Sequence, residues 1–271
     1  MRVRIIFKLK NRGAVLPFHH QYILAQFIKG VIVSGKNKEF VDYPYYSFSG
    51  LKGQTKVSRT GLNYFSNYVT LVLSSPSKEF IDYVLGEIFQ FKSFELGNLQ
   101  LEPESTEVEK EPEFTSEMKF ICISPIVPML SSFNGPEGKR FVEPEQDEFS
   151  DHLFESTLER MEDSGQYDLN KIEGFNKFQV VPDVEYLNKL RDKEKKFARI
   201  YSLFDNDVKY EVRGYTLPLK LYAAKEVQEF IFNCGIGNYT YKGFGMVDLA
   251  NANPTERSIS YTFSKADKVP Q

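Results

Sequence analysis

Three histidines, His19, His20 and His152, are the side chains whose ordinary pKa suits proton transfer near neutral pH. Two of them are adjacent and open a segment of helical periodicity that also carries Lys29. On a 100° wheel His19 shares the polar side with Tyr22, Gln26 and Lys29, while His20 falls with Leu24, Phe27 and Val31 on the apolar side. A general acid or base must reach the proton it moves, so the wheel favours His19. His20 is the alternative, with a packed histidine as its bland reading, and His152 comes third. Lys29 on the His19 side supplies a cation for charge that develops during the reaction.

A second constellation lies near the C-terminus. Between an expected helix and an expected strand, Cys234 to Met246 holds Gly235, Gly237, Gly243 and Gly245. Nucleotide-binding loops have the opposite order, because there the glycines follow a strand and open a helix. Glycine tolerates positive φ and lets a partner approach the main chain, so this run could present successive N–H groups to phosphates. The bland reading makes Gly235 a helix C-cap and gives the others to a tight turn. Lys242 adds a cation to the run, and Tyr239 and Tyr241 either stack on bases or pack.

Charge along the chain points to a polyanion. The total is −3, but the first 78 residues hold twelve Lys and Arg against Glu39 and Asp42, a net +10 that leaves −13 for the remainder. Such asymmetry creates a positive region on a molecule whose overall charge conceals it. Lys52, Lys56 and Arg59 lie in this region and are candidate phosphate contacts, which set affinity and salt dependence rather than sequence choice. The chain has 24 Phe, 16 Tyr and no Trp, a high aromatic share, part of which could serve as stacking surface for unpaired bases while most Phe goes to the core. Cys122 and Cys234 lack metal-type spacing and suit buried thiols in a reducing cytoplasm. No apolar run approaches the roughly 18 residues of a membrane span, so a cytoplasmic location without membrane attachment is expected.

These residues need elements to position them. Residues 2–9 alternate basic and apolar side chains, a strand with a cationic face. A helix is predicted over about 17–33, strands near 43–52 and 64–74, a second helix after Ser75-Pro76 and a strand near 98–108. The acid-rich stretch Glu102 to Glu117, with Pro103 and Pro112, marks a domain boundary. Beyond it the order repeats, with a strand at 120–123, a helix at 146–163, strands near 175–182 and 197–217, a helix at 223–234 and a strand at 243–249. Each half therefore reads β-α-β-β-α-β. The expectation is an α+β protein with tandem ferredoxin-like, RRM-like domains over residues 1–112 and 113–271, each with an antiparallel sheet.

Four features together resemble the repeat-associated RNA-binding superfamily, and within it the CRISPR-associated endoribonuclease family that cuts precursor CRISPR RNA in its repeats. They are the cationic first strand, the helix entry Leu16-Pro17-Phe18-His19-His20-Gln21-Tyr22, Ser124-Pro125-Ile126, and the Gly235-Ile236-Gly237 to Gly243-Phe244-Gly245-Met246-Val247 segment. The resemblance implies CRISPR repeat RNA as partner, effector-complex subunits as further partners, and cleavage with no metal and no cofactor. RNA brings its own 2′-OH nucleophile, so histidine and lysine suffice for a cut that leaves a 2′,3′-cyclic phosphate. The chain departs from the family pattern in Lys36 to Tyr46, which has no histidine, and at Lys29, which stands where the family has a tyrosine. Tyr43, Tyr45 and Tyr46 lie in that segment. The alternative function is a non-cleaving subunit that holds CRISPR RNA in a larger complex.

Overall fold

A computed structural model describes residues 1–128, 142–168, 170–171, 174–205 and 208–263. The chain is α+β with several sheets, and its strand pairings are antiparallel. It divides into two compact units: Met1–Glu111 together with the tail from Asn253, and Pro112–Ala252.

The first unit contains β1 (Arg2–Leu9), β2 (Val15–Leu16), α1 (Gln21–Ser34), β3 (Ser47–Phe48), β4 (Thr55–Val57), β5 (Leu62–Tyr64), β6 (Tyr68–Ser74), α2 (Lys78–Ile88), β7 (Phe94–Leu96) and β8 (Leu99–Glu109). The main sheet runs β8-β1-β6-β3, and β2-β5-β4 forms a small sheet of its own. Period-two alternation in β1 sends Val3, Ile5, Phe7 and Leu9 into a core shared with Leu24, Ile28, Val31 and Ile32 of α1 and Phe80, Ile81, Val84, Leu85 and Ile88 of α2. Ser77 caps α2, its Oγ accepting from the Phe80 N–H at 3.0 Å.

Two expectations change here. α1 starts at Gln21 rather than Pro17, so both histidines precede the helix and His20 occupies its N-cap position. The strand expected over 64–74 is interrupted at Phe65 to Asn67, where β5 turns away to pair with β2 and β4.

The second unit contains β9 (Glu117–Cys122), α3 (Asp147–Asp163), β10 (Gln179–Pro182), α4 (Val184–Asp192), β11 (Ala198–Asp205), β12 (Val208–Tyr215), β13 (Pro218–Tyr222), α5 (Lys225–Cys234) and β14 (Val247–Leu249). Its four-stranded sheet runs β10-β13-β9-β14, and β11-β12 is a separate hairpin. The single strand expected over 197–217 is therefore this hairpin, and α4 was not expected. Beyond Asn253 the chain returns to the first unit as β15 (Ser258–Ser260), which pairs with β8. The tail thus belongs with the first unit rather than with residues 113–252.

Candidate functional site

Chemistry-bearing residues lie in both units. In the first, His19 is exposed and His20 is 6% exposed, the division that the wheel predicts. His20 Nδ1 lies 3.0 Å from the Pro17 carbonyl, which holds the ring against the turn entering α1. The Lys29 ammonium donates to the Val41 carbonyl and lies 3.7 Å from Asp42. Eight residues of helical rise, about 12 Å, separate Gln21 at the helix start from Lys29. The structure thus engages Lys29 with the segment that follows the helix. Tyr43 joins Phe40 and Phe80 in an aromatic cluster, and Tyr46 is buried beside Phe80, so both rings pack. His152, on α3 of the second unit, lies 3.6 Å from Glu155.

The cationic face of β1 is largely neutralised within its own sheet. Acids on β8 stand beside it in register: Arg4 pairs with Glu107 at 3.2 Å and approaches Glu109 at 3.7 Å, while Lys10 pairs with Glu102 at 2.9 Å. The expectation that this strand offers a run of cations is corrected accordingly, because acids distant in sequence return as its neighbours. Arg12, Lys56 and Arg59 behave differently. All three are exposed, and none has an acidic partner among the described residues. Lys56 lies 5.3 Å from the Phe65 ring, and Arg12 Nε donates to the Phe65 carbonyl at 2.9 Å. Lys52 is half-buried, with its backbone bridged to Thr70.

The glycine run of the second unit has a different form from the one expected. Gly235, Gly237, Gly243 and Gly245 are buried and have φ of 81°, 79°, 86° and 68°. Many of the loop's N–H groups are taken up within the protein: Gly235 N–H donates to Ile231, Ile236 to Gly245 and Gly243 to Thr240, while Asn238 donates to Val127 and Gly245 to Pro125. A Cβ on Gly245 would lie 2.0 Å from the Ile236 oxygen, and one on Gly237 would lie 2.8 Å from that of Val127. Close backbone approach thus explains these glycines, and the idea of a row of open N–H groups is corrected. From α3, Arg160 donates to the carbonyls of Cys234 at 2.7 Å, Gly235 at 3.1 Å and Gly237 at 3.4 Å. The first two are carbonyls that the end of α5 would otherwise leave unsatisfied, and the third belongs to the loop that follows. Burial pushes the neighbouring Cys234 thiol up to about 12, which keeps it protonated.

What the loop projects is its tip. Tyr239 takes a left-handed conformation at φ 60°, uncommon for a residue with a side chain. The Lys242 ammonium lies 5.5 Å from the Tyr239 ring and 5.6 Å from the Tyr241 ring, and Tyr241 is 39% exposed. A cation flanked by two aromatic rings suits a phosphate and its base. Beneath the tip, Phe244 packs with Val127, Tyr201, Leu203 and Val212, so the β11-β12 hairpin supports the loop.

Arg160 and the exposed Phe65 are the residues that the sequence reading missed. Arg160 sits in a polar helix and had no distinguishing neighbour, whereas Phe65, between basic residues and a strand, carried a usable signal. Among the described residues no three His, Cys, Asp or Glu side chains are grouped to hold a metal ion, and no helix is long and apolar enough to cross a membrane.

Residues 109–249 match the family model for the C-terminal part of the CRISPR associated protein Cas6. A CRISPR-associated Cas6 endoribonuclease of Methanocaldococcus jannaschii is 22% identical over 254 residues, covering 91% of this chain and 92% of that protein. The solved structure of a Cas6-related protein from Pyrococcus furiosus superposes with a TM-score of 0.76 at 22% identity, covering 93% of this chain and 99% of that one. A RAMP protein described as binding different RNA substrates gives 0.76 at 20% identity over 93% and 100%.

Proposed function

The chain belongs to the Cas6 family of CRISPR-associated endoribonucleases, and from that membership we propose that it cuts CRISPR repeat RNA by metal-independent attack of the 2′-OH. Strand orders β8-β1-β6-β3 and β10-β13-β9-β14 support reading the two units as ferredoxin-like domains, since their strands and the helices α1, α2, α3 and α5 follow one another as β-α-β-β-α-β once β2, β4, β5 and β7 in the first unit and α4 with the β11-β12 hairpin in the second are set aside as insertions.

In the proposed reaction a base takes the 2′-OH proton and the 2′-oxygen bonds to the adjacent phosphorus. The P–O5′ bond then breaks, an acid protonates the 5′-oxygen, and the products carry 2′,3′-cyclic phosphate and 5′-hydroxyl ends. The observation that carries the reading is the exposed His19 at the mouth of α1, in the unit that holds Arg12, Lys56 and Arg59. His19 acts as acid or base, and His20 shapes the turn that presents it. Lys52, Lys56 and Arg59 contact phosphates. In the second unit the role assigned to Gly235, Gly237, Gly243 and Gly245 is to set the loop, and Lys242 makes the contact.

The test is a denaturing gel of labelled repeat RNA incubated with the protein in EDTA. One cut is expected, abolished by a 2′-deoxy substitution at the cleaved position and reduced at least about 100-fold by His19→Ala. A second reading, an RNA-holding subunit that does not cut, is favoured by the engagement of Lys29 with Val41 and Asp42. Retarded but intact RNA would support it over the enzyme.

A further inference from the structure

We infer that the first unit reads an unpaired RNA base in a shallow groove whose platform is Tyr68. This rests on the RNA-binding part of the proposed function and adds a base-recognition subsite to its phosphate contacts.

Tyr68 begins β6, a central strand of the main sheet, and is 48% exposed. Its neighbour Val69 points into the core, so alternation places Tyr68 and Thr70 on the opposite sheet face from α1 and α2. Register sets Lys8 of β1 directly across from Tyr68, about 5 Å away between Cβ atoms. The groove is lined by Lys52, Gly53, Gln54, Ser66, Asn67 and Tyr68, with Thr70 at its edge.

Three properties suit an unpaired nucleotide better than a solvated surface alone. The tyrosine ring lies on an inner strand of the six-stranded antiparallel main sheet, flanked by β1 and β3, and stacking sheets of RNA-recognition domains carry their aromatic residues on their sheet face. The side-chain amides of Gln54 and Asn67 are exposed and bond to no other described residue, which leaves donors and acceptors for a base edge. Finally, a cation stands beside the groove. Lys56 is exposed and lies over the exposed Phe65 ring, so a phosphate and a second base have a place there, whereas the exposed Lys8 faces Glu102 of β8 in register. Gly53 keeps the groove open at its base, since a Cβ there would lie 2.7 Å from Ser66 Oγ and 3.2 Å from the Tyr64 ring.

Stacking and phosphate contact separate by their salt dependence, which provides the test. Binding of the full-length protein to synthetic repeat RNA is measured over a salt series for the parent, Tyr68→Ala, Tyr68→Phe and Lys56→Ala. Tyr68→Ala should weaken binding about tenfold at every salt concentration, with Tyr68→Phe near the parent, because the ring is what stacks. Lys56→Ala should instead reduce the salt slope by roughly 0.7–0.9, the release expected for one lost phosphate contact. An abasic scan should find one nucleotide whose removal weakens the parent and leaves Tyr68→Ala no weaker. Parent-like binding by Tyr68→Ala, or a loss that fades as salt rises, would overturn the subsite while leaving RNA binding intact. Absence of binding by the parent protein would overturn the RNA reading, and the subsite with it.

Discussion

Arg160 shows how one side chain can set the shape of a loop that it does not belong to. Its guanidinium reaches three carbonyls at the end of α5, and its flat face lies 5.3 Å from the Phe230 ring. Hydrogen bonds from a charged donor are worth more than neutral ones, about 1.5–3 kcal/mol each in mutational series, and their loss would leave partly buried carbonyls unsatisfied. Arg160→Met, which keeps much of the apolar stem, is therefore expected to destabilise the protein by about 2–3 kcal/mol, read as a lower urea midpoint with an unchanged m-value. Unchanged stability would mean that the carbonyls find solvent at no cost. Nothing in the local sequence Leu158-Glu159-Arg160-Met161 marks this arginine, because its partners lie more than 70 residues away. The division between His19 and His20 matches the helical wheel although both residues precede α1, because the turn from Pro17 that enters the helix tucks His20 in and leaves His19 outside.

At the scale of elements, the glycine run was legible as a special backbone but not as the particular device it is. Composition announces positive φ, and all four glycines have it. It does not announce that the N–H groups turn inward, because two of the acceptors, Pro125 for Gly245 and Val127 for Asn238, come from a segment more than 100 residues earlier. The β11-β12 hairpin was missed because its residues 197–217 read as one long apolar-alternating run, although Asp205-Asn206-Asp207 is a turn signal within it. Helices α1 and α2 were found because apolar spacing is a local property. The loop predicts a sharp contrast between two glycines. Gly245→Ala combines φ of 68° with a Cβ 2.0 Å from the Ile236 oxygen, so it should cost more than the about 1–3 kcal/mol of the strained φ alone. Gly86→Ala, on the α2 helix with nothing within 4 Å of the new Cβ, should stabilise by about 0.5–1 kcal/mol. Thermal melts of the two variants check both signs, and a harmless Gly245→Ala would refute the close-approach account.

Across the whole molecule, the returning tail changes what a domain boundary means for this chain. The first run of the first unit ends at Glu111, but β15 then lies along the outer edge of β8 and covers an edge that would otherwise be open. Arg257 brings a guanidinium to 3.1 Å from Glu109, whose side chain is 1% exposed, and Arg4 stands 3.7 Å away on the other side. Tyr261 donates to Asp82 of α2 at 2.5 Å, its backbone oxygen accepts from Thr106 at 2.7 Å, and Phe263 packs on Phe89 with ring centroids 5.2 Å apart. Sequence could not reveal this return, since Ser258–Ser260 is too short and too polar to announce a strand without its partner. Breaking a buried pair by removing one member typically costs about 3–5 kcal/mol, because the remaining charge keeps its desolvation penalty. A chain ending at Ala252 should therefore lose at least that much from the first unit, while the hydrogen bonds that hold the glycine loop of the second unit remain. Calorimetry of the full and shortened chains, with Arg257→Met as a third sample, should show the first unit's transition falling in both altered proteins and the second unit's staying in place. If the shortened chain melts like the parent, β15 is an accessory strand and the first unit is complete at Glu111; if Arg257→Met alone melts like the parent, Arg4 suffices to hold the Glu109 carboxylate.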